Sequence, residues 1–357
     1  MVNFFYVNNI NTLAKTARAR QVYENDSVLK KIFSSHYQSL LPDDMFLTRI
    51  IKSDSSLIRK VLFFLFFLIK LSSLDKKFYV YSRNLYLLEV ARKKGFKTVW
   101  EAHDLPQGRN KDSLTNLSQS SYFVAISNAL KNKISEVYSI PLTNILVAHD
   151  GVDLTSYDKF RDLNKVDLRN QLGLPIDKKI IMHTGSLFRN RGVELFGVVL
   201  EELSDYIFVQ VGGSNKDVTF WKKYFNKYSN IIFIEHQEVQ KLIKYQLSSD
   251  LLFYMTSKNS PIYWCTSPMK AFEYLGCGIP IIASNIGSLS EIFNETNSVT
   301  FDSSDQNSLI NALQFVGKNK DEIEKRSKQA LVDVRNDFTW EIRANKIKIF
   351  LESCSNH

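Results

Sequence analysis

The sequence predicts an α/β protein built from two doubly wound domains that face each other across a cleft. Three observations carry this expectation. Short apolar runs suited to buried parallel strands alternate with helical patterns along nearly the whole chain. The alternation comes as two successive series, separated by a polar connector over about 154–178 with Gly173 and Pro175 as punctuation. The 357 residues, 44% of them hydrophobic, also suffice for two cores.

In the first series, Asn3–Val7 reads as a strand, followed by the polar turn Asn8-Asn9-Ile10-Asn11-Thr12 and a helix over 15–22. This is the opening of a Rossmann-like unit, without the glycine-rich fingerprint. Arg18 and Arg20 on that helix suit either an anionic substrate or plain solvation. Val61–Ile69 is the most apolar run in the chain. It is too short to span a bilayer and is flanked by Arg59, Lys60 and Lys70, so it reads as a helix either buried or resting on an anionic membrane. Phe78–Tyr81 is a strand, Leu85–Lys94 a helix ending near Gly95, and Lys97–Glu101 a strand running into Ala102-His103-Asp104. Ligands in open α/β sheets gather at the carboxyl ends of strands, which makes His103 a candidate site residue. Ser121–Ser127 is a strand ending at an N-cap serine, 128–138 a helix, Asn144–His149 a strand, and Asp150–Asp153 a turn.

In the second series, Lys179–His183 is a strand and 184–192 its loop; Val193–Leu203 is a helix, and Tyr206–Val211 a strand stopped by Gly212-Gly213. Ile231–Glu235, Leu251–Met255 and Ile279–Ala283 supply further strands, and an amphipathic helix opens at Phe338-Thr339-Trp340-Glu341 and runs through Leu351. Within this half, Thr266–Ser284 reads as loop, helix, glycine turn and strand. Ser267 is expected as N-cap and Pro268 at the first helical position, with Gly276 and Gly278 closing the helix. A helix start of this kind is a natural seat for a phosphate. Lys270 adds a positive charge there, and Glu273, about one turn on, can accept hydrogen bonds from a ribose diol. The same stretch also reads as an ordinary capped helix.

A formal charge of +9 points to an anionic partner. The basic residues are scattered and no zinc-finger or RNA-binding signature is present, which argues against nucleic acid. Cys265, Cys277 and Cys354 are too few and too scattered for a disulfide framework or a zinc site, and fit a reducing cytoplasm. The N-terminus lacks a basic n-region and a cleavage site, so no secretion signal is expected.

The order of these pieces resembles a retaining glycosyltransferase of family 4 with the GT-B fold of two Rossmann-like domains, over roughly residues 78–350. Glu101-Ala102-His103-Asp104 resembles the family's first-domain strand ending in histidine, and Ala125–Leu130 its serine-containing strand-to-helix segment. Asp150-Gly151-Val152-Asp153 resembles its interdomain turn, and Gly185-Ser186-Leu187 with Arg191-Gly192 its first second-domain loop. Val209–Gly213 resembles the next strand and turn, Thr266–Ser284 the nucleotide-sugar helix, and Trp340 the closing helix.

The resemblance implies domains at 1–165, binding acceptor, and 166–337, binding the nucleotide sugar, with the helix from about 338 packing back on the first. His103, Arg191 and Lys270 would be catalytic. Gly185, Ser186, Arg189, Gly212, Thr266, Ser267, Pro268, Met269 and Glu273 would bind donor, with Glu273 on the ribose hydroxyls. Asn9, Asn11 and Arg18 would meet the acceptor. No metal or cofactor is implied beyond the nucleotide-diphosphate sugar itself. The expected activity is transfer of a hexosyl or related sugar, with retention, to a growing glycan or lipid-linked acceptor in bacterial surface polysaccharide biosynthesis. The setting would be cytoplasmic, with peripheral contact at the inner face of the membrane as the further option.

Three features depart from the pattern: the loop after the first strand, Asn8–Leu13, lacks the family's Gly-Gly pair, and two single positions differ. Cys265 stands where the family has its first motif glutamate, and Ser186 where it has a loop arginine. They motivate an alternative, a GT-B protein that binds nucleotide sugar without turnover; a GT-B sugar-nucleotide epimerase is another.

Overall fold

Strand pairing follows the apolar runs, and every pair is parallel. The computed structural model describes residues 2–12, 16–44, 57–108, 110–118 and 121–355. Two units emerge, Met1–Asp150 with Trp340–His357, and Gly151–Thr339.

The first unit holds β1 (Asn3–Val7), β2 (Tyr37–Leu40), β3 (Phe78–Ser82), β4 (Lys97–Ala102), β5 (Ser121–Ala125) and β6 (Ile145–Val147), in sheet order β2-β1-β3-β4-β5-β6. Its helices are α1 (Ala17–Phe33), α2 (Leu57–Ser73), α3 (Leu85–Lys93), α4 (Asn110–Leu117) and α5 (Asn128–Tyr138). The second unit opens with α6 (Leu154–Arg161) and α7 (Lys165–Leu172). Then come β7 (Lys179–Thr184), α8 (Phe196–Glu202), β8 (Tyr206–Val211), α9 (Asn215–Tyr224), β9 (Ile231–Ile234), α10 (Val239–Leu247) and β10 (Leu251–Tyr254). It closes with α11 (Met269–Cys277), β11 (Ile281–Ser284), β12 (Val299–Phe301), α12 (Gln306–Lys318) and α13 (Lys320–Asp337); α14 (Trp340–Ser353) returns to the first unit. The second sheet has the order β12-β11-β10-β7-β8-β9. Strand order therefore reverses between β1 and β3 in one sheet and between β7 and β10 in the other. Beyond the carboxyl ends of such strands, the two flanking loops leave in opposite directions and open a crevice.

Several elements differ from the sequence reading. The first helix runs to Phe33, because its apolar stripe continues through Val22, Leu29 and Phe33; Thr16 caps it by accepting from Ala19 N, and Lys15 lies outside the described residues. The polar stretch 154–178 is not a bare connector. It contains α6 and α7, N-capped by Asp153 and Asn164, with Gly173 closing α7 in the left-handed conformation. Leu154 and Tyr157 of α6 join the second unit's core, so the division falls after Asp150 and not at 165. Ser267 is not the N-cap of α11. That place belongs to Pro268, which gives no side-chain cap bond, and Ser267 is buried. The short strands β2 and β12 had too few residues for a periodic signal.

The apolar helix α2 is buried on one side only. Phe63, Phe67 and Leu71 are buried along one stripe, while Leu57, Val61, Leu65 and Ile69 are 75%, 48%, 49% and 66% exposed along another. On α14, Ala344, Ile347 and Leu351 enter the core that contains Val22, Leu29 and Phe33 of α1.

One turn has room only for glycine. Gly287 sits at φ +57°, and a Cβ there would stand 2.3 Å from the Tyr263 carbonyl oxygen and 2.7 Å from Trp264 Cα. Gly287→Ala should destabilise the second unit by about 2 kcal/mol or more. That corresponds to a melting shift of at least roughly 4 °C in a domain of this size. An unchanged transition in calorimetry would show that the Tyr263–Trp264 segment yields freely.

Candidate functional site

In the second unit, the loops after β7 and β8 approach backbone to backbone. Gly185 N donates to Val211 O at 2.8 Å, and a Cβ on Gly212 would lie 2.7 Å from Gly185 O. Gly212 is at φ +112°, so the position excludes a side chain on both counts. Against this pair lies the start of α11. Lys270 Nζ sits where a Gly185 Cβ would be 3.5 Å away, 2.8 Å from His183 Nε2 and 4.7 Å above the Tyr254 ring. Burial, then the nearby Arg191, lower its pKa to about 7 against the pull of Glu273.

Glu273 is 5% exposed, and Gln246 Nε2 points to its Oε2 at 3.4 Å. Gln246 in turn donates to Thr184 Oγ1 at 3.3 Å and accepts from the Tyr157 hydroxyl at 2.8 Å. The Tyr274 hydroxyl accepts from Thr184 N at 2.8 Å, tying α11 to the end of β7. These buried groups satisfy one another and fix Glu273 on a rigid support.

The structure brings together Lys270, Gly185, Gly212 and Glu273, with Arg191 near enough to act on Lys270 and His183. It does not gather the rest around the same point. Ser186 is exposed, and Arg189 is exposed with its guanidinium stacked 3.9 Å over the Phe220 ring. Arg189 and Arg191, with Lys216, instead line a surface cavity of about 750 Å³ beside the start of α9. Thr266 gives its carbonyl to the Ser288 hydroxyl at 2.6 Å, and Pro268 and Met269 are half-buried at the start of α11. Cys265 is wholly buried in a turn, where its backbone N–H donates to Ile262 O. His183, Gln210, Gln246 and Tyr274 were not singled out from sequence. Each lies in an apolar run or helix face where a polar residue signals little until the register is known.

In the first unit, the ends of β3, β4 and β6 carry a buried charge cluster. Glu101 Oε1 accepts from Arg83 Nε at 3.1 Å, Arg83 Nη2 at 2.8 Å and His103 Nε2 at 2.7 Å, and Arg343 Nη2 forms an ion pair with it at 3.1 Å outside hydrogen-bond geometry. Asn25 donates to Oε2 at 3.1 Å and accepts from Arg343 Nη1 at 2.9 Å. Burial alone would raise the Glu101 carboxyl, but Arg83, Arg343 and His103 hold it well below the carboxylate range. His103 is pulled below its ordinary value by burial and then by Arg83, with Glu101 opposing. A carboxylate only accepts, so a neutral His103 carries its proton on Nε2 and leaves Nδ1 as a lone-pair acceptor. Asp150, 1% exposed and raised by burial, accepts from Gln21 Nε2, and Gln21 Oε1 accepts from Arg83 at 2.8 Å.

Among the described residues, Glu101, His103 and Asp150 bring possible metal-donor atoms within 4.8 Å of one another, a grouping the sequence alone did not show. Their setting suits a cation poorly, because two guanidiniums already occupy the Glu101 oxygen that a metal would need. Of the acceptor candidates, Asn9 is exposed and Asn11 partly so in the loop after β1, and Arg18 is exposed in the first turn of α1.

Residues 164–333 match the family model described as Glycosyl transferases group 1. The uncharacterized glycosyltransferase MJ1607 of Methanocaldococcus jannaschii is 22% identical over 191 residues, 51% of this chain and 47% of that protein. The chain covers less than half the length of the curated relatives it matches, 47% and 42%. Among solved structures, a glycosyltransferase from Rickettsia africae aligns with a TM-score of 0.74 at 16% identity, over 100% of this chain and 99% of that one. The HepE protein of Anabaena, in complex with UDP-glucose, aligns with a TM-score of 0.73 at 13% identity, over 98% and 99%. The fold is therefore GT-B, two α/β domains, and the match to the group 1 glycosyltransferase model falls within the second of them.

The Glu101 cluster yields a stability prediction. Glu101→Gln leaves Arg83 and Arg343 buried beside each other without the compensating charge, which costs about 3–5 kcal/mol when one partner of a buried pair is removed. The first unit should melt several degrees lower, read by calorimetry; an unshifted transition would mean that water already compensates these arginines.

Proposed function

We propose that this chain is a retaining, metal-independent glycosyltransferase that takes a nucleoside-diphosphate sugar as donor. The observation that carries the reading is the pairing of Lys270 and Glu273 at the start of α11, beside Gly185 and Gly212, in the domain that matches the group 1 family. In this reading Glu273 accepts from the ribose hydroxyls. The diphosphate lies over the free N–H groups at Met269 and Lys270, where the helix dipole favours negative charge. As the bond from the sugar's anomeric carbon to the diphosphate oxygen breaks, charge grows on the leaving phosphate; Lys270 and Arg191 stabilise it. The sugar passes to an acceptor hydroxyl bound by the first unit, with His103 Nδ1 as hydrogen-bond acceptor and Asn9, Asn11 and Arg18 as acceptor contacts. The acceptor class is a glycan or lipid-linked saccharide of bacterial surface polysaccharide synthesis.

UDP is the first probe, since HepE binds UDP-glucose. UDP, GDP, ADP and CMP would be compared by thermal shift, a ligand of the folded state raising the melting temperature in proportion to RT ln(1 + [L]/Kd). One nucleoside diphosphate should shift the wild type, and Glu273→Gln should weaken it about tenfold with its own melting temperature unchanged. No shift with any nucleotide, or a Glu273→Gln variant that is merely less stable, would remove this reading. A second reading, binding without turnover, rests on buried Cys265 and exposed Ser186; slow hydrolysis of the donor would dispose of it.

The lipid-linked acceptor gives α2 a role. Its outward stripe of Leu57, Val61, Leu65 and Ile69 is apolar, and the helix carries Lys60 and Lys70 but no acidic residue. Such a helix lies in a membrane interface and favours anionic headgroups. Among the described residues no helix is long and apolar enough to cross a membrane. Cosedimentation should show binding to phosphatidylglycerol vesicles and little to phosphatidylcholine. Replacing Leu65 and Ile69 with serine should abolish it without a change in melting temperature. Equal binding by that variant would exclude α2 as the contact.

A further inference from the structure

Behind Lys270 runs a line of polar groups to which donor binding assigns no role. Gln210 Nε2 donates to the Gly185 carbonyl at 3.0 Å, so its other end, Oε1, is an acceptor. His183 is the cross-strand neighbour of Gln210 in the β7–β8 register, and its Nδ1 lies 2.5 Å from that oxygen. Nδ1 therefore carries the imidazole proton, and Nε2 turns a lone pair toward Lys270 Nζ at 2.8 Å. Gln210 and His183 are 0% and 1% exposed, and the Phe196 ring packs 5.3 Å from the imidazole. Burial, then Lys270, keep His183 well below its ordinary range and hence neutral. The line has one polarity, with amine donating to imidazole, imidazole to amide, and amide to the Gly185 carbonyl.

We propose that His183 is a positioning residue for donor binding: held in one tautomer by Gln210, it fixes the Lys270 amine beside Gly185, where the diphosphate is received. The proposal rests on the donor reading above. Its consequence is a proton taken up with the ligand. The groups facing Lys270 are His183 on β7, Tyr254 on β10, Arg191 in the loop after β7, and Glu273 on its own helix. With its pKa lowered to about 7, the amine is largely neutral in the free protein at pH 8. An arriving diphosphate favours the ammonium form and raises that value, so binding above pH 7 draws in up to one proton. Affinity then falls as pH rises above 7, by as much as roughly tenfold per unit. The nucleotide's own terminal phosphate, with a second pKa near 6, is mostly ionised above pH 7, and any proton it gives up on binding opposes the uptake by Lys270.

Two substitutions separate positioning from packing. An asparagine amide reaches roughly the Nδ1 place of histidine, so His183→Asn keeps a partner for Gln210 and loses the contact to Lys270. A glutamine amide reaches roughly the Nε2 place, so His183→Gln keeps an acceptor oxygen for Lys270. UDP binding would be measured calorimetrically in buffers of differing ionisation enthalpy between pH 6.5 and 8.5. In parallel, the ε-carbon of Lys270 would be titrated by NMR, its signal assigned with Lys270→Arg. His183→Asn should bind about tenfold more weakly, with Lys270 titrating at lower pH and the proton uptake moved to lower pH with it, while His183→Gln should stay within about threefold of wild type with uptake unchanged. Wild-type affinity and uptake in His183→Asn, or equal loss in both variants, would overturn the proposal. If the wild type binds no nucleoside diphosphate, the donor reading fails by itself, and the NMR titration still decides: an unchanged Lys270 in His183→Asn overturns the positioning role, and a shift in that variant alone supports it.

Discussion

A charge removed from water must be answered by an opposite charge or by hydrogen bonds, and the two units answer that demand in opposite ways. In the first, Glu101 is met by Arg83, Arg343, His103 and Asn25, so that the carboxylate is ionised and held by opposite charge and hydrogen bonds. In the second, Lys270 meets a neutral histidine and an aromatic face, and its strongest charged neighbour, Arg191, repels it. A fully answered charge makes a rigid frame. An under-answered cation leaves a place that an anion improves.

Parallel topology decides where these two arrangements can occur. Since the strands of a parallel sheet all run one way, the loops that follow them collect along one edge. The reversal of order between β1 and β3, and between β7 and β10, parts those loops and leaves room for side chains. Arg83, His103 and Asp150 follow β3, β4 and β6, while Gly185 and Gly212 follow β7 and β8. The helices add what the strands lack: α14 brings Arg343 to the first edge, and α11 brings Lys270 and Glu273 to the second.

Legibility in the sequence tracks how local each signal is. The strand runs, the glycines of tight turns and the loop-helix-turn-strand stretch around Lys270 and Glu273 are local, and their placement at strand ends follows from the alternation alone. His183, Gln210 and Arg343 were not legible. The first two become partners only through the β7–β8 register, and Arg343 reaches Glu101 across more than two hundred residues of chain. Ser267 failed as a cap for a different reason, because Pro268 already supplies the extended residue that starts α11. The stretch 154–178 carried its capping residues, Asp153, Asn164 and Gly173, in plain view, but low hydrophobicity masked two helices that bury only a few side chains each.

The departures at Cys265 and Ser186 from the pattern that the sequence resembles fit one physical account. An arginine at the Ser186 position would carry a permanent, planar charge into the loop, indifferent to pH. A lysine supplied from α11 is a compact charge that shifts readily when desolvated, and it needs something to hold it while it is neutral. The neutral, single-tautomer His183 is suited to that, since a lone pair accepts from either form of the amine whereas a carboxylate would lock the ammonium in place. Cys265, sealed into its turn, presents no carboxylate there, and under the proposed donor reading the polar contacts of this edge fall to Glu273 with its buried support from Gln246. Compared with that pattern the edge has one fixed cation and one fixed anion fewer, and the proposed Lys270 arrangement supplies instead a charge that depends on what binds.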